Sequence, residues 1–206
     1  MKNFFNPENF LWQWFAHLAD YFLLSCLWVI CSIPVFTIGA ASIALYDTVA
    51  HCVRGKDQAM FRRFFRTLKA ELGRGAVLTL LWAAAAALLN GIYQVITQMA
   101  GGNTVLNLLR ISYFILMLIP LGIGCWAIAI ESRFTHSLAS LHRTALAFTF
   151  VHLPHTLAIV ALFVVTLNLL RSIPFLVMFL PGMMVTFQSW FIEKVFRKYI
   201  PEETHT

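Results

Sequence analysis

The chain has 206 residues, 60% of them hydrophobic and only 12% charged, with a formal charge of +6 at pH 7. This balance excludes an ordinary soluble domain and fits a chain that crosses a membrane several times. The length accommodates several spans of about 20 residues with short connections but no separate soluble domain, so residues 1–206 read as a single integral membrane domain.

From the amino terminus, Met1 to Asn9 carries Lys2, Pro7 and Glu8. No small-residue cleavage site follows the first apolar run, so a removable signal peptide is not expected. Charge-free apolar runs occur at Tyr21 to Ala44, Ala76 to Met99, Ile111 to Ile130, Leu153 to Leu170 and Ser172 to Ile192. Each is long enough, or nearly so, for a hydrocarbon core of about 30 Å. The first is interrupted at Pro34. The Pro34 to Gly39 corner predicts a new helix from near Thr37 or Gly39 through Val53, interrupted in character only by Asp47. Five crossings are the minimum, and six follow if residues 37–53 also cross. Gly101-Gly102-Asn103 and Arg171-Ser172-Ile173-Pro174 read as short turns with little charge.

Basic residues concentrate in three places: Arg54 to Arg74, Arg133 to Arg143, and Lys194 to Lys198. The positive-inside rule makes these segments, and hence the carboxyl terminus, cytoplasmic. Six crossings place the amino terminus there too; five place it outside. Arg110 and Arg171, near the opposite span ends, are expected to snorkel towards headgroups. Trp12, Trp14, Tyr113, Trp190 and Tyr199 lie near span ends as an aromatic belt would, whereas Trp28, Trp82 and Trp126 read as packing residues.

The linkers share a pattern. Phe61, Phe65, Leu68 and Leu72 are spaced like Phe134, Leu138, Leu141 and Ala145, and each set forms one apolar helical stripe ahead of a new span, near Gly75 and Pro154. The expected repeat is a descending span, a cytoplasmic amphipathic helix and an ascending span, which favours six crossings. The fold class is therefore an all-α polytopic transmembrane bundle of six membrane helices, or five, with two amphipathic linker helices.

Few residues suggest chemistry. Arg62, Arg63, Arg66 and Lys69 lie opposite the first stripe, an arrangement that attracts anionic lipid at about 1 kcal/mol per basic residue, or a partner subunit. Its bland alternative is a helix that only anchors the fold. Asp47 is the one carboxylate well inside a candidate span, a default candidate for a proton or cation site. Set against this is a position near the cytoplasmic end of a short helix, paired with Arg54 or another base. His142, His152 and His155 have spacing from which a metal site can be imagined, but no nearby carboxylate completes it and Pro154 interrupts the face. They read as interfacial histidines, and Cys26, Cys31, Cys52 and Cys125 as apolar fillers. No catalytic, cofactor-binding, metal-binding or nucleic-acid-binding motif is visible, so an enzyme is not expected.

Cys31-Ser32-Ile33-Pro34-Val35-Phe36-Thr37-Ile38-Gly39-Ala40-Ala41, followed by Ala44-Leu45-Tyr46, resembles the signature of the YesL family of bacterial membrane proteins. Asp47 departs from it, because members more often carry an aromatic or apolar residue after the matching tyrosine. The resemblance implies a domain of unknown function in the bacterial cell membrane, often encoded near carbohydrate uptake systems. The expectation it ranks first is an auxiliary subunit or assembly partner of an ABC-type sugar importer, touching permease subunits and anionic lipid. The alternative is a small-solute channel or carrier, alone or as a homo-oligomer, using the Asp47 region with Pro120, Gly122 and Gly124.

Overall fold

The computed structural model describes residues 10–53, 59–100, 103–134 and 137–199, with side chains from residue 18 onward except Val53 and Ala100. The expectations for Arg54, Lys56, the Gly101-Gly102 turn and the side chains of Trp12 and Trp14 fall outside these residues. Seven α-helices are present among the described residues, and no strand: α1 (Phe10–Cys31), α2 (Ile38–Thr48), α3 (Met60–Ala100), α4 (Thr104–Glu131), α5 (Leu138–Val151), α6 (Leu153–Ser172) and α7 (Leu180–Phe196). Among the described residues four segments are long and apolar enough to cross a membrane: Val35–Cys52, Met60–Met99, Thr104–Glu131 and Leu153–Ser172. Leu18–Cys31 is a shorter apolar helix.

The Pro34 corner bends the chain after α1 because proline disfavours helical backbone in the residue before it and supplies no N–H of its own. A short 3₁₀ turn, Val35–Thr37, leads into α2, and the Thr37 hydroxyl lies within hydrogen-bonding reach of the Cys31 and Pro34 carbonyls. Thereafter α2 is enclosed by α1, α3, α4 and α7. Ala40, Ala41, Ile43 and Ala44 have no accessible surface. The other long helices turn large apolar side chains outward: Leu88 is 70% exposed and Val105 71%. Such a surface suits hydrocarbon, where outward leucines cost nothing, and not water.

With little hydrophobic drive between helices in lipid, close packing and interhelical hydrogen bonds carry the association. α2 and α3 meet at two glycines. A Cβ on Gly39 would lie 2.5 Å from the Gly75 carbonyl oxygen, and one on Gly75 would lie 2.5 Å from the Ala40 nitrogen. At this crossing the Gly39 N–H donates to Thr79 Oγ1 at 2.8 Å. Elsewhere the Trp28 indole donates to Ser42, the Gly182 N–H to Ser25, and the Trp126 indole to Thr156.

Gly75 therefore starts no new helix. The first linker helix and the following apolar run form one continuous helix of 41 residues, about 60 Å long at the α-helical rise. In the second half α5 and α6 do separate, at His152, where Pro154 opens the new helix. The two stripes also differ in burial. Leu141 and Ala145 of α5 are fully buried, whereas Phe61 and Phe65 of α3 are 49% and 48% exposed. The inward face of α3 instead carries Arg63, Phe64, Thr67, Leu68, Arg74 and Gly75. A second adjustment concerns Ser172 to Ile192: Pro174–Met178 form a 3₁₀ turn, leaving the 17 residues of α7.

Candidate functional site

The polar interior gathers where α2 ends, α3 begins and α7 ends. Asp47 sits in the last turn of α2, on the side facing α3, with its side chain only 7% exposed. Arg63, in the first turn of α3, clasps it in a fork: Nε donates to Oδ2 and Nη2 to Oδ1, both at 2.9 Å. Thr67, one turn further along α3, donates its hydroxyl to Oδ2 at 2.8 Å. Two charged bonds and a hydroxyl compensate for removing this carboxylate from water, which would otherwise cost several kcal/mol.

After Asp47, α2 loosens into a π-helical turn over Val49–Val53, a distortion frequent at functional positions. His51 in this turn places Nδ1 3.1 Å from Asp47 Oδ1 and 3.0 Å from the Asp47 carbonyl oxygen. Its Nε2 lies 3.1 Å from Arg133 Nη1. Since the guanidinium can only donate, Nε2 must accept, and the hydrogen is assigned to Nδ1, facing Asp47. Arg133 Nη2 then donates to Glu193 Oε1 at 2.8 Å, and the Tyr46 hydroxyl donates to the same oxygen at 3.3 Å. The result is one chain of polar contacts, Thr67 and Arg63 to Asp47 to His51 to Arg133 to Glu193 to Tyr46. It fastens α2, α3, the end of α4 and α7 together.

A second pair closes the same end of α3 and α4. The Glu131 side chain is fully buried, and Arg74 Nε lies 3.0 Å from its Oε1. Each carboxylate named here thus faces a guanidinium, an arrangement that can hold helices together.

Of the sequence-derived candidates, Asp47 and Arg63 are brought together, Arg63 being a base that the fold places beside the carboxylate. Arg63 is thereby withdrawn from the face it was expected to share with its neighbours. Arg62, Arg66 and Lys69 are exposed and form a stripe at i, i+4 and i+7 along α3, beside the exposed Phe61, Phe65 and Leu72. The histidines disperse: His142 stacks on Trp82 at 5.9 Å, while His152 and His155 pack edge to face at 6.1 Å. Among the described residues no three His, Cys, Asp or Glu side chains are grouped as metal ligands would be. His152 Nε2 lies 3.2 Å from the Tyr199 hydroxyl, tying the carboxyl-terminal end to the α5–α6 corner. Burial, with His155 and the Lys198 cation nearby, holds its imidazole below the usual histidine range.

The interior partners His51, Arg133, Glu131 and Glu193 were not singled out from the sequence as a site. Their signal was faint: Glu131 and Glu193 stand at the ends of long apolar stretches, next to bases already accounted for by topology.

A separate groove of about 760 Å³ runs between α2, α3, α4 and α6. Pro120 and Gly124 line it, whereas Gly122 packs against Thr156 and Asp47 lies elsewhere. Among the described residues no charged side chain lines the groove.

Comparison with known proteins gives a family described as "Protein of unknown function, DUF624", to which residues 21–90 are similar. The matched stretch covers most of α1, all of α2 and α3 as far as Asn90, and so includes the Pro34 corner, the Gly39–Gly75 crossing and the Asp47–Arg63 pair. No curated protein and no solved structure matches the chain.

Proposed function

We propose that the chain is an auxiliary membrane subunit or assembly partner of a bacterial carbohydrate uptake system of the ABC type, docking through the exposed stripe of Arg62, Arg66 and Lys69. The observation that carries this reading is the closure of the polar network. Asp47, the side chain most suited to a transported cation or proton, is committed to Arg63, Thr67 and His51 and does not line the groove. What remains outward on α3 is a basic stripe beside Phe61 and Phe65, a pattern suited to an acidic or amphipathic surface at the membrane boundary. The uptake context comes from the resemblance of the Cys31 to Tyr46 segment to the YesL signature. The proposed topology has six crossings, α1, α2, α3, α4, α6 and α7, with both termini and the basic stripe cytoplasmic by the positive-inside rule.

Gentle solubilisation from native membranes tests the proposal. A permease or ATPase component should co-purify with the chain; its consistent absence would overturn the subunit reading. The groove favours a second reading, a small-solute channel or carrier. Solute flux into liposomes containing only this protein would support it, although an uncharged, mostly apolar lining suits hydrophilic solutes poorly.

A further inference from the structure

The groove has a polar end, visible once the helices are set in register. The Trp126 indole donates to the Thr156 hydroxyl, and the Cβ position of Gly122 lies 3.5 Å from a Val160 methyl, so α4 and α6 run antiparallel. Continuing that register towards the start of α4 sets Asn168 level with Phe114, and Arg171 level with Ile111 beside Arg110. The α3–α4 pair has its own markers: Arg74 faces Glu131, and Trp82 lies against Gly124. Their register sets Asn90 level with Ile115 or Leu116.

Two layers result. Asn90 and Asn168 form one, and both line the groove. Extended by the helical rise, the same register sets Arg110 and Arg171 at the next level, about one helical turn further out. Each arginine continues the groove-lining face of its helix: Arg110 precedes Phe114 by four residues, and Arg171 follows Asn168 by three and Leu167 by four. Neither arginine is ion-paired among the described residues. Below the two layers the lining is dominated by apolar residues such as Met117, Leu121 and Phe163, down to Ile43 and Ile128.

We infer that this groove is a binding site for one membrane phospholipid with an anionic headgroup. Arg110 and Arg171 take the phosphate and the negatively charged headgroup, Asn90 and Asn168 meet the ester region, and an acyl chain fills the apolar channel. Charge selects this occupant. Two unpaired guanidiniums at one level need an anion, whereas the uncharged slot beneath them needs a hydrocarbon chain, and an anionic phospholipid supplies both. The inference is independent of the docking role of Arg62, Arg66 and Lys69, which lie on the opposite half of α3 from Asn90.

The test uses the full-length protein in nanodiscs of equal phosphatidylglycerol and phosphatidylcholine, with native mass spectrometry of the lipid retained after release. Wild type should retain one phosphatidylglycerol per chain, about tenfold in preference to phosphatidylcholine. Arg110→Gln with Arg171→Gln should abolish the preference. Gly124→Leu, whose Cβ would sit in ordinary contact with the Trp82 ring at 3.8 Å while the longer side chain occupies groove volume beside it, should lower retention of either lipid about tenfold with the headgroup site intact. Helicity and thermal midpoint of each variant identify any folding failure, and Arg171→Gln alone, on an exposed residue, gives a milder form of the same test with a severalfold loss of preference. Equal retention of both lipids by wild type would overturn the assignment. So would undiminished phosphatidylglycerol preference in the arginine variants, or a groove occupied by a co-purifying polypeptide in place of lipid.

Discussion

Asp47 shows how one side chain changes meaning with its surroundings. Alone in an apolar helix it suggests proton or cation binding; bridged by Arg63 and capped by Thr67 it becomes a fastening. Removing one member of such a pair strands the other, which in buried pairs costs about 3–5 kcal/mol. Arg63→Ala should therefore destabilise the protein by about that amount in chemical unfolding in detergent micelles. The double variant Asp47→Asn with Arg63→Gln should lose much less than the sum of the single changes, because neither leaves an uncompensated charge. Additive losses would show that the two residues do not interact. His152 gives a pH-dependent counterpart. Its folded-state affinity for a proton is lowered, so its stabilising contribution is complete above the ordinary histidine value of about 6.5 and is lost as pH falls below that value towards the folded one. The thermal midpoint should drop on acidification from pH 7.5 to 5.5 by a larger amount in wild type than in His152→Phe.

Among the elements, the pairing of α2 with α3 organises the rest. Its test is a comparison of two glycines in one helix. Gly73 has open space at its Cβ position and Gly75 has Ala40 backbone at 2.5 Å. Gly73→Ala should be neutral or stabilising by up to about 1 kcal/mol, from helix propensity alone. Gly75→Ala should destabilise by about 1–3 kcal/mol, since a backbone contact can be relieved only by moving the helices apart. Unfolding of the two variants side by side distinguishes packing from propensity. The elements were largely legible in the sequence: the Pro34 corner, the restart near Thr37 and the long apolar runs all correspond to helices or their ends. The face of α3 was not. Spacing identified Phe61, Phe65, Leu68 and Leu72 as an apolar stripe, of which only Leu68 packs against the core, because in a membrane an apolar stripe can face lipid as readily as protein. Which face turns inward was decided by Asp47 on α2, and thus by a partner far away in sequence.

At the scale of the whole molecule, two regions divide the work. One end of the bundle holds the paired charges and the basic stripe, while Asn90 and Asn168 of the groove, and the two arginines proposed to cap it, lie towards the other. The candidate site was only half legible for a physical reason: Asp47 stood out because charge is rare inside a span, whereas His51, Arg133 and Glu193 looked like ordinary boundary residues until three helix ends converged. The proposed topology rests on the basic segments, and cysteine labelling in intact cells checks it. A cysteine at Lys69 should be shielded from an impermeant reagent added outside, and one at Asn103 should react.

The central claim is that the exposed stripe on α3 meets another protein. Phe65, 48% exposed beside Arg62, Arg66 and Lys69, is the position from which to test it. Replacing it with a photoreactive phenylalanine and irradiating native membranes should yield an adduct with a permease or ATPase subunit. That adduct should disappear when Arg62, Arg66 and Lys69 are all changed to glutamate. Adducts with lipid alone, or a protein adduct indifferent to those charges, would contradict the account.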